Sequence, residues 1–331
     1  MTAALPPAIS RLQGQHNPLV KFLRSYTIWI VIVVLCAVMT LVAPNFLTIG
    51  NLRSVLVNMT HVAIVAFGLT FVFLGGGFDL SSGATLILTA TLLIGLNPEP
   101  PLLIGGAFLL VLAISTGIGA FNGYLIGIQG LNPFVVTLGT RTIIGSIIFI
   151  NAARAVYGFA GQAKILEFIG LGRVFGVLPV LTLVLIVVTV ICWFVIRYTP
   201  YARKILGVGA NATVARFSGL RVERLQMSTY MINGLLAGLA GILVACKTSY
   251  IVPSLVWHYD FAAITACALG GISLSGGRGT IMNALSGVIL IVLIDNSLVL
   301  LGVPTVWQPI LKGVVLLIAI IADMQTKRSY A

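Results

Sequence analysis

Apolar residues in this chain run in long stretches, separated by short polar breaks rich in glycine and proline. A helix needs roughly 20 apolar residues to cross hydrocarbon. Such stretches fall at Tyr26 to Pro44, His61 to Gly75, Ser82 to Leu96, Leu102 to Ile128 and Pro133 to Asn151. They continue at Val177 to Ile196, Met227 to Cys246, Phe261 to Leu274, Thr280 to Leu301 and Val306 to Asp323. The pattern predicts an all-α polytopic membrane protein with about ten transmembrane helices. A spanning barrel would instead show short alternating strands with one polar face. The second, third and eighth stretches are short and flanked by glycine, which reads as broken or re-entrant helices.

Composition strengthens this reading. The 331 residues are 59% hydrophobic and 8% charged, with a mean hydropathy of +1.12, whereas soluble domains carry about 25% charge. Seven carboxylates are too few to solvate two globules, so a single bundle is expected. The net charge of +12 could suggest nucleic acid. The basic residues, however, stand at the ends of apolar runs without interleaved aromatics, so they read as topology signals. With the N-terminus inside, the inner segments hold twelve cations, from Arg11 to Arg328, and the outer ones hold Arg53, Arg154, Lys164, Arg173 and Lys247. Both termini are therefore expected in the cytoplasm.

The expected division is a tail over residues 1–25, a permease domain over 26–323 containing a cytoplasmic loop at 197–226, and a second tail over 324–331. The first stretch reads as a signal anchor, because its leader is too polar for a cleavable signal and lacks a small-residue cleavage site. Cys36, Cys192, Cys246 and Cys267 lie in apolar stretches without paired spacing, and His16, His61 and His258 are scattered. No disulfide framework or metal site is expected from them, and no catalytic group stands out.

The longest polar segment is Arg197 to Gln226. Asn211 reads as an N-cap and Gly219 as a C-terminal stop, which predicts a short helix near Ala212 to Ser218. Val214 and Phe217 share a face there, amid Arg216 and Arg221. Such a helix would either rest on lipid headgroups or dock a cytoplasmic partner.

Several ordered motifs resemble those of the permease subunit of bacterial ATP-binding-cassette sugar importers of the ribose type. That family also holds permeases for galactose, xylose, arabinose and the autoinducer-2 signal. The motifs are Gly76-Gly77-Phe78-Asp79-Leu80-Ser81-Ser82-Gly83, Asn132-Pro133-Phe134-Val135-Val136-Thr137-Leu138-Gly139, Gly207 to Gly219, Asp260, and Gly270 to Gly279. Together they span about Asn45 to Asp323. The resemblance implies a homo- or heterodimeric permease core in the bacterial inner membrane. It also implies two cytoplasmic ATPases docked on the loop and a periplasmic sugar-binding protein opposite. ATP and Mg would be used by those partner chains, with no cofactor bound here. Consistently, Gly271 and Gly276 have phosphate-loop spacing, but Gly277 stands where lysine is required.

Two further features stay open at this level. The turns Leu74 to Ser81 and Leu269 to Gly276 resemble each other, either through duplication or as tight turns alone. Intramembrane charges usually face a bundle interior or a water-filled path; here they are Arg141, Asp295 and Lys312, with Asp79 at a boundary. Asp295 and Lys312 match in depth and are expected to pair, whether structurally or along a path. Asp79 caps the third helix or gates, and Arg141 has no evident partner. Phe78, Asn122, Thr137 and Asn296 are candidates for lining a path for a hydroxyl-rich solute. The alternative function is an ion-coupled secondary transporter, for which Asp295 is the one clear coupling carboxylate.

Overall fold

The computed structural model describes residues 18–98, 100–152, 164–248, 256–304, 307–310, 313–314 and 317. Helix α1 is Pro18–Val42, α2 Ile49–Leu74, α3 Ser82–Leu96 and α4 Pro101–Gly123, the last prolonged by a π-helical turn Tyr124–Ile128. Then come α5 Pro133–Ala152, α6 Lys164–Leu171, a hairpin of β1 Arg173–Val174 and β2 Leu178–Pro179, and α7 Val180–Tyr198. The chain continues through α8 Pro200–Ala210, α9 Ala212–Phe217, α10 Val222–Thr248, α11 Val256–Leu269 and α12 Ile281–Leu300.

Among the described residues, six helices are long and apolar enough to span a membrane: α2, α4 with its π-turn, α5, α7, α10 and α12. Shorter apolar helices lie at Thr27–Val42, Ser82–Leu96 and Tyr259–Leu269. These nine correspond to nine of the ten expected spans; the tenth, with the expected tails, falls largely outside the described residues. The second span is longer than expected, because α2 begins twelve residues before His61. Its polar first half is satisfied by tertiary partners: Asn51 exchanges hydrogen bonds with Asn296, and Asn58 accepts one from Lys247.

The bundle is built around α2 and α10, whose most apolar windows are 72% and 78% buried, against 28% and 22% for α4 and α5. Outer helices instead expose large apolar side chains, among them Leu41, Leu102, Leu109, Ile150 and Val187, as suits contact with lipid. Small residues bring α4 and α10 together. A Cβ on Gly119 would sit 3.0 Å from the Tyr230 carbonyl carbon, too close for any side chain.

At 15 residues, α3 is about 22 Å long, well short of a bilayer core. The irregular segment Gly75 to Ser81, buried at most positions, precedes it. That is the broken span expected from sequence, and irregular backbone survives at such depth only when protein satisfies it.

The likeness between the two glycine turns has a local cause. Gly75, Gly76 and Gly77 donate to Phe71, Phe73 and Val72, and Gly270, Gly271 and Ile272 donate to Ala266, Ala268 and Cys267 with the same offsets. The same pattern ends α9 at Gly219 and α12 at Gly302. Glycine at this capping position, with φ of +76°, +88°, +79° and +72°, accounts for the likeness.

Candidate functional site: a polar seam joined to a loop helix

The unwound segment before α3 carries a buried polar seam. Asp79 Oδ1 accepts hydrogen bonds from the Ser81 amide and hydroxyl, both at 2.7 Å, and Oδ2 accepts one from Asn233 Nδ2 at 2.8 Å. Asn233 Nδ2 also donates to Ser82 Oγ at 2.8 Å. Asn122 Nδ2 donates to Ser81 Oγ at 3.0 Å, and the Asn122 carbonyl accepts from Thr140 Oγ1 at 2.6 Å. Tyr230 bridges the backbone of Phe78, accepting from its amide at 3.1 Å and donating to its carbonyl at 3.2 Å.

These contacts explain why α5 stands where it does. Asn132 caps the helix by accepting from the Phe134 amide at 2.9 Å, and Pro133 begins it, where no amide is needed. Successive turns then meet the seam. Phe134 packs on Phe78 at 6.4 Å between ring centroids, Thr137 Oγ1 accepts from the Leu80 amide at 3.1 Å, and Thr140 reaches Asn122. The next residue, Arg141, has its Nε 3.3 Å from Asp260 Oδ2 of α11 and its guanidinium 5.7 Å from the Phe261 ring.

Asp260 therefore answers both open questions about charge. It is the partner of Arg141, and its Oδ1 accepts the Gly83 amide in the first turn of α3. Asp260 thus caps α3 from another helix, whereas Asp79 is turned onto Ser81 and Asn233. In sequence Asp260 stood at the edge of a span, and nothing local tied it to Arg141.

The expected loop helix is α9. Asn211 Oδ1 accepts from the Val214 amide at 3.0 Å, and Gly219 follows the end of the helix. Val214 and Phe217 stand 58% and 88% exposed, while Arg216 and Glu223 form a surface pair at 2.6 Å. Arg221 is exposed beside them. The preceding helix, α8, was missed in the sequence, although Thr199 and Pro200 form a cap-and-proline start; the Thr199 hydroxyl accepts from Ala202 at 3.5 Å. Tyr201 anchors α8 to Ser228 at 2.8 Å, and burial raises its phenol pKa while that bond lowers it.

Glycines fasten α8 to the rest. The Gly277 amide donates to the Leu74 carbonyl at 3.3 Å. Against that pair lies Gly209, where a Cβ would meet Gly277 N at 2.7 Å and the Leu74 carbonyl carbon at 2.9 Å. A Cβ on Gly76 would meet the Gly209 Cα at 3.3 Å. The end of α2, the turn before α12 and the loop helices thus touch backbone to backbone, at the start of the unwound segment.

Of the other candidate residues, Asn122 and Thr137 are fully buried within the seam, and Phe78 is half-buried against Phe73 and Phe134. Asn296 lies elsewhere, paired with Asn51. Asp295 is half-buried on α12, and Lys312 lies outside the described residues, as does any pairing between them. No group of three metal-ligating side chains occurs among the described residues.

The family model described as "Branched-chain amino acid transport system / permease component" matches residues 51–320. The chain is 31% identical over 306 residues to the ribose import permease protein of Haemophilus influenzae, covering 92% of this chain and 94% of the relative. It is 34% identical over 292 residues to the ribose import permease protein of Bacillus subtilis, covering 88% and 89%. With the D-allose transport system permease protein of Escherichia coli it shares 30% identity over 311 residues, covering 91% and 92%. No solved structure matches the chain significantly. A match across most of the chain, on a bundle whose polar groups turn inward and whose exposed loop helix is capped at both ends, makes this chain a member of that family of membrane-spanning transport permease components.

Proposed function

We propose that this chain is the membrane subunit of an ATP-binding-cassette importer that carries a sugar or related polyhydroxylated solute inward, with ATP hydrolysed by partner subunits. The curated relatives named for ribose and allose transport support the solute class. The observation that carries the coupling role is the pair α8–α9: an exposed apolar face of Val214 and Phe217 at its tip, fastened through Gly209 to the end of α2. A second permease subunit, two cytoplasmic ATPases and a periplasmic binding protein complete the transporter, with both termini inside.

Closure of the ATPase pair pushes on α9. The push passes through the glycine junction to the segment Gly75 to Ser81, which moves with the seam and with α5. Phe78, Phe134 and Thr140 border the solute path in this scheme, and Asn122, Thr137 and Asp79 hold the segment that shapes it. Neutral hydroxyl and amide groups suit a sugar, which carries hydroxyls and no charge. Both seam carboxylates have partners: Asp79 accepts three hydrogen bonds, and Asp260 accepts the Gly83 amide and pairs with Arg141. That occupation argues against either carrying a coupling ion.

The test is transport in proteoliposomes with the ATPase chains, comparing wild type with Arg216→Asp together with Phe217→Ala. ATP-driven uptake is expected to fall at least tenfold while membrane insertion survives, because an apolar anchor and its neighbouring charge leave a small interface. Solute accumulation on an ion gradient alone, unaffected by this change, would favour the ion-coupled alternative.

A further inference from the structure

At the end of the bundle opposite α8–α9, a cleft of about 320 Å³ opens between the start of α2, the end of α10 and the β1–β2 hairpin. Arg53, Arg173 and Lys247 line it, with Ser54 and Asn58, and among the described residues no carboxylate does. Two of these cations are held by neutral oxygens. Arg53 donates through Nε to the Val177 carbonyl at 3.1 Å and through Nη2 to Gly176 at 3.2 Å, and Lys247 Nζ donates to Asn58 at 2.7 Å. Three like charges in one cleft repel each other until an anion joins them.

The surroundings of the cleft identify that anion's source. Val57, Leu171 and Pro179 line the cleft beside its cations, and Ile49 and Leu52 at the start of α2 and Phe175 and Val177 in the hairpin are exposed. Exposed apolar side chains beside fixed cations suit a lipid headgroup and the chains below it. Beside it on α6, Leu166 and Gly170 are buried, while Lys164, Phe168 and Leu171, at i, i+4 and i+7, share an exposed face flanked by exposed Ile165 and Glu167. That is the pattern of a helix lying in a membrane interface. The hairpin tip adds Phe175, 97% exposed with φ of +52° beside Gly176 at +69°, where a bulky residue is an outlier. Asparagine or glycine would suit this turn better. An aromatic ring kept there against its backbone preference has a task at the tip, and burial among lipid chains supplies one.

We infer that the Arg53–Arg173–Lys247 cleft binds the phosphate of an anionic phospholipid, with α6 and Phe175 seated in the same leaflet. By the expected orientation this is the outer leaflet, but the site depends on its own residues and not on the transport reading.

Binding of fluorescent phosphatidylglycerol to the solubilised full chain tests it, with phosphatidylcholine as the neutral comparison. Arg173→Gln with Lys247→Gln spares Arg53, which fastens the turn, and should weaken phosphatidylglycerol binding about 30-fold, as expected for two cations near a lipid surface. Arg173→Lys with Lys247→Arg should keep the affinity. The inference is overturned if wild type binds both lipids alike or if the glutamine variant keeps its affinity. It is also overturned if 10 mM inorganic phosphate displaces the lipid completely, which would mark a soluble-anion site. A glutamine variant that keeps the lipid but no longer captures the solute-binding protein would overturn it in favour of a protein dock. Transport plays no part in these readings, so failure here and failure of the importer assignment are separately visible.

Discussion

Gly209 offers the sharpest test of how the loop helices are joined to the bundle, because Gly207 on the same helix is its control. A Cβ at position 209 would lie 2.9 Å from the Leu74 carbonyl carbon and 2.7 Å from the Gly277 amide nitrogen. Carbon pairs rest at about 3.5–4.0 Å, so Gly209→Ala must part α8 from the end of α2 by about 0.6 Å or more. Overlap with the Leu74 oxygen adds to that demand. A Cβ at position 207 meets nothing within 4 Å. Both changes gain helix propensity of up to about 1 kcal/mol, but only Gly209→Ala sets against it an overpacking cost of about 1–3 kcal/mol. Gly207→Ala is therefore expected to be neutral or slightly stabilising, and Gly209→Ala destabilising by about 0–2 kcal/mol. The functional difference should be larger. In proteoliposomes with the ATPase chains, Gly209→Ala should leave ATP hydrolysis within about twofold of wild type and cut solute uptake at least tenfold, since docking survives while the joint is pried open. Equal uptake by the two variants would refute the glycine joint as the route of coupling.

Other expected outcomes follow from the same structure. Asp260→Asn leaves Arg141 buried beside a neutral group and should cost about 3–5 kcal/mol, read as a lower unfolding temperature in detergent. Replacing Arg141 and Asp260 together by methionine should cost much less than the sum of the single changes, and additive losses would show that the two do not act as a pair. Asn211→Ala removes the cap of α9, worth about 1 kcal/mol, so amide exchange at Ala215 to Phe217 should quicken about fivefold; unchanged exchange would mean the cap contributes nothing.

What the sequence disclosed depended on how local the determining physics is. Asn211 and Gly219 mark α9 because capping is decided within four residues, and the structure gives Ala212–Phe217 against an expected Ala212 to Ser218. The start of α2 was hidden, since Asn51, Arg53 and Asn58 read as a polar connector until Asn296, the hairpin carbonyls and Lys247 are brought to them. The Arg141–Asp260 pair joins α5 to α11, and no periodicity links positions so far apart. Asp79 was legible as a carboxylate at a span boundary, but its partner Asn233 comes from the tertiary fold.

The seam, the charge pair and the glycine joint form one mechanical unit. A seven-residue unwound stretch would be costly in a membrane, since each unmet backbone group there costs several kcal/mol. Phe78 and Leu80 are satisfied by side chains of α10 and α5, and the α3 amide of Gly83 by α11. Each bond that makes the stretch tolerable also ties it to a helix that must follow its motion. Gly76 meanwhile lies against Gly209, so the loop helices touch the stretch at its first turn. In the proposed scheme a displacement at α9 meets little side-chain padding before the stretch, and a displacement of the stretch would carry Thr137 and Arg141 of α5 with it. Loosening either end should separate ATP hydrolysis from transport, whereas truncating an exposed residue of α4 away from the seam, such as Leu109, should affect neither.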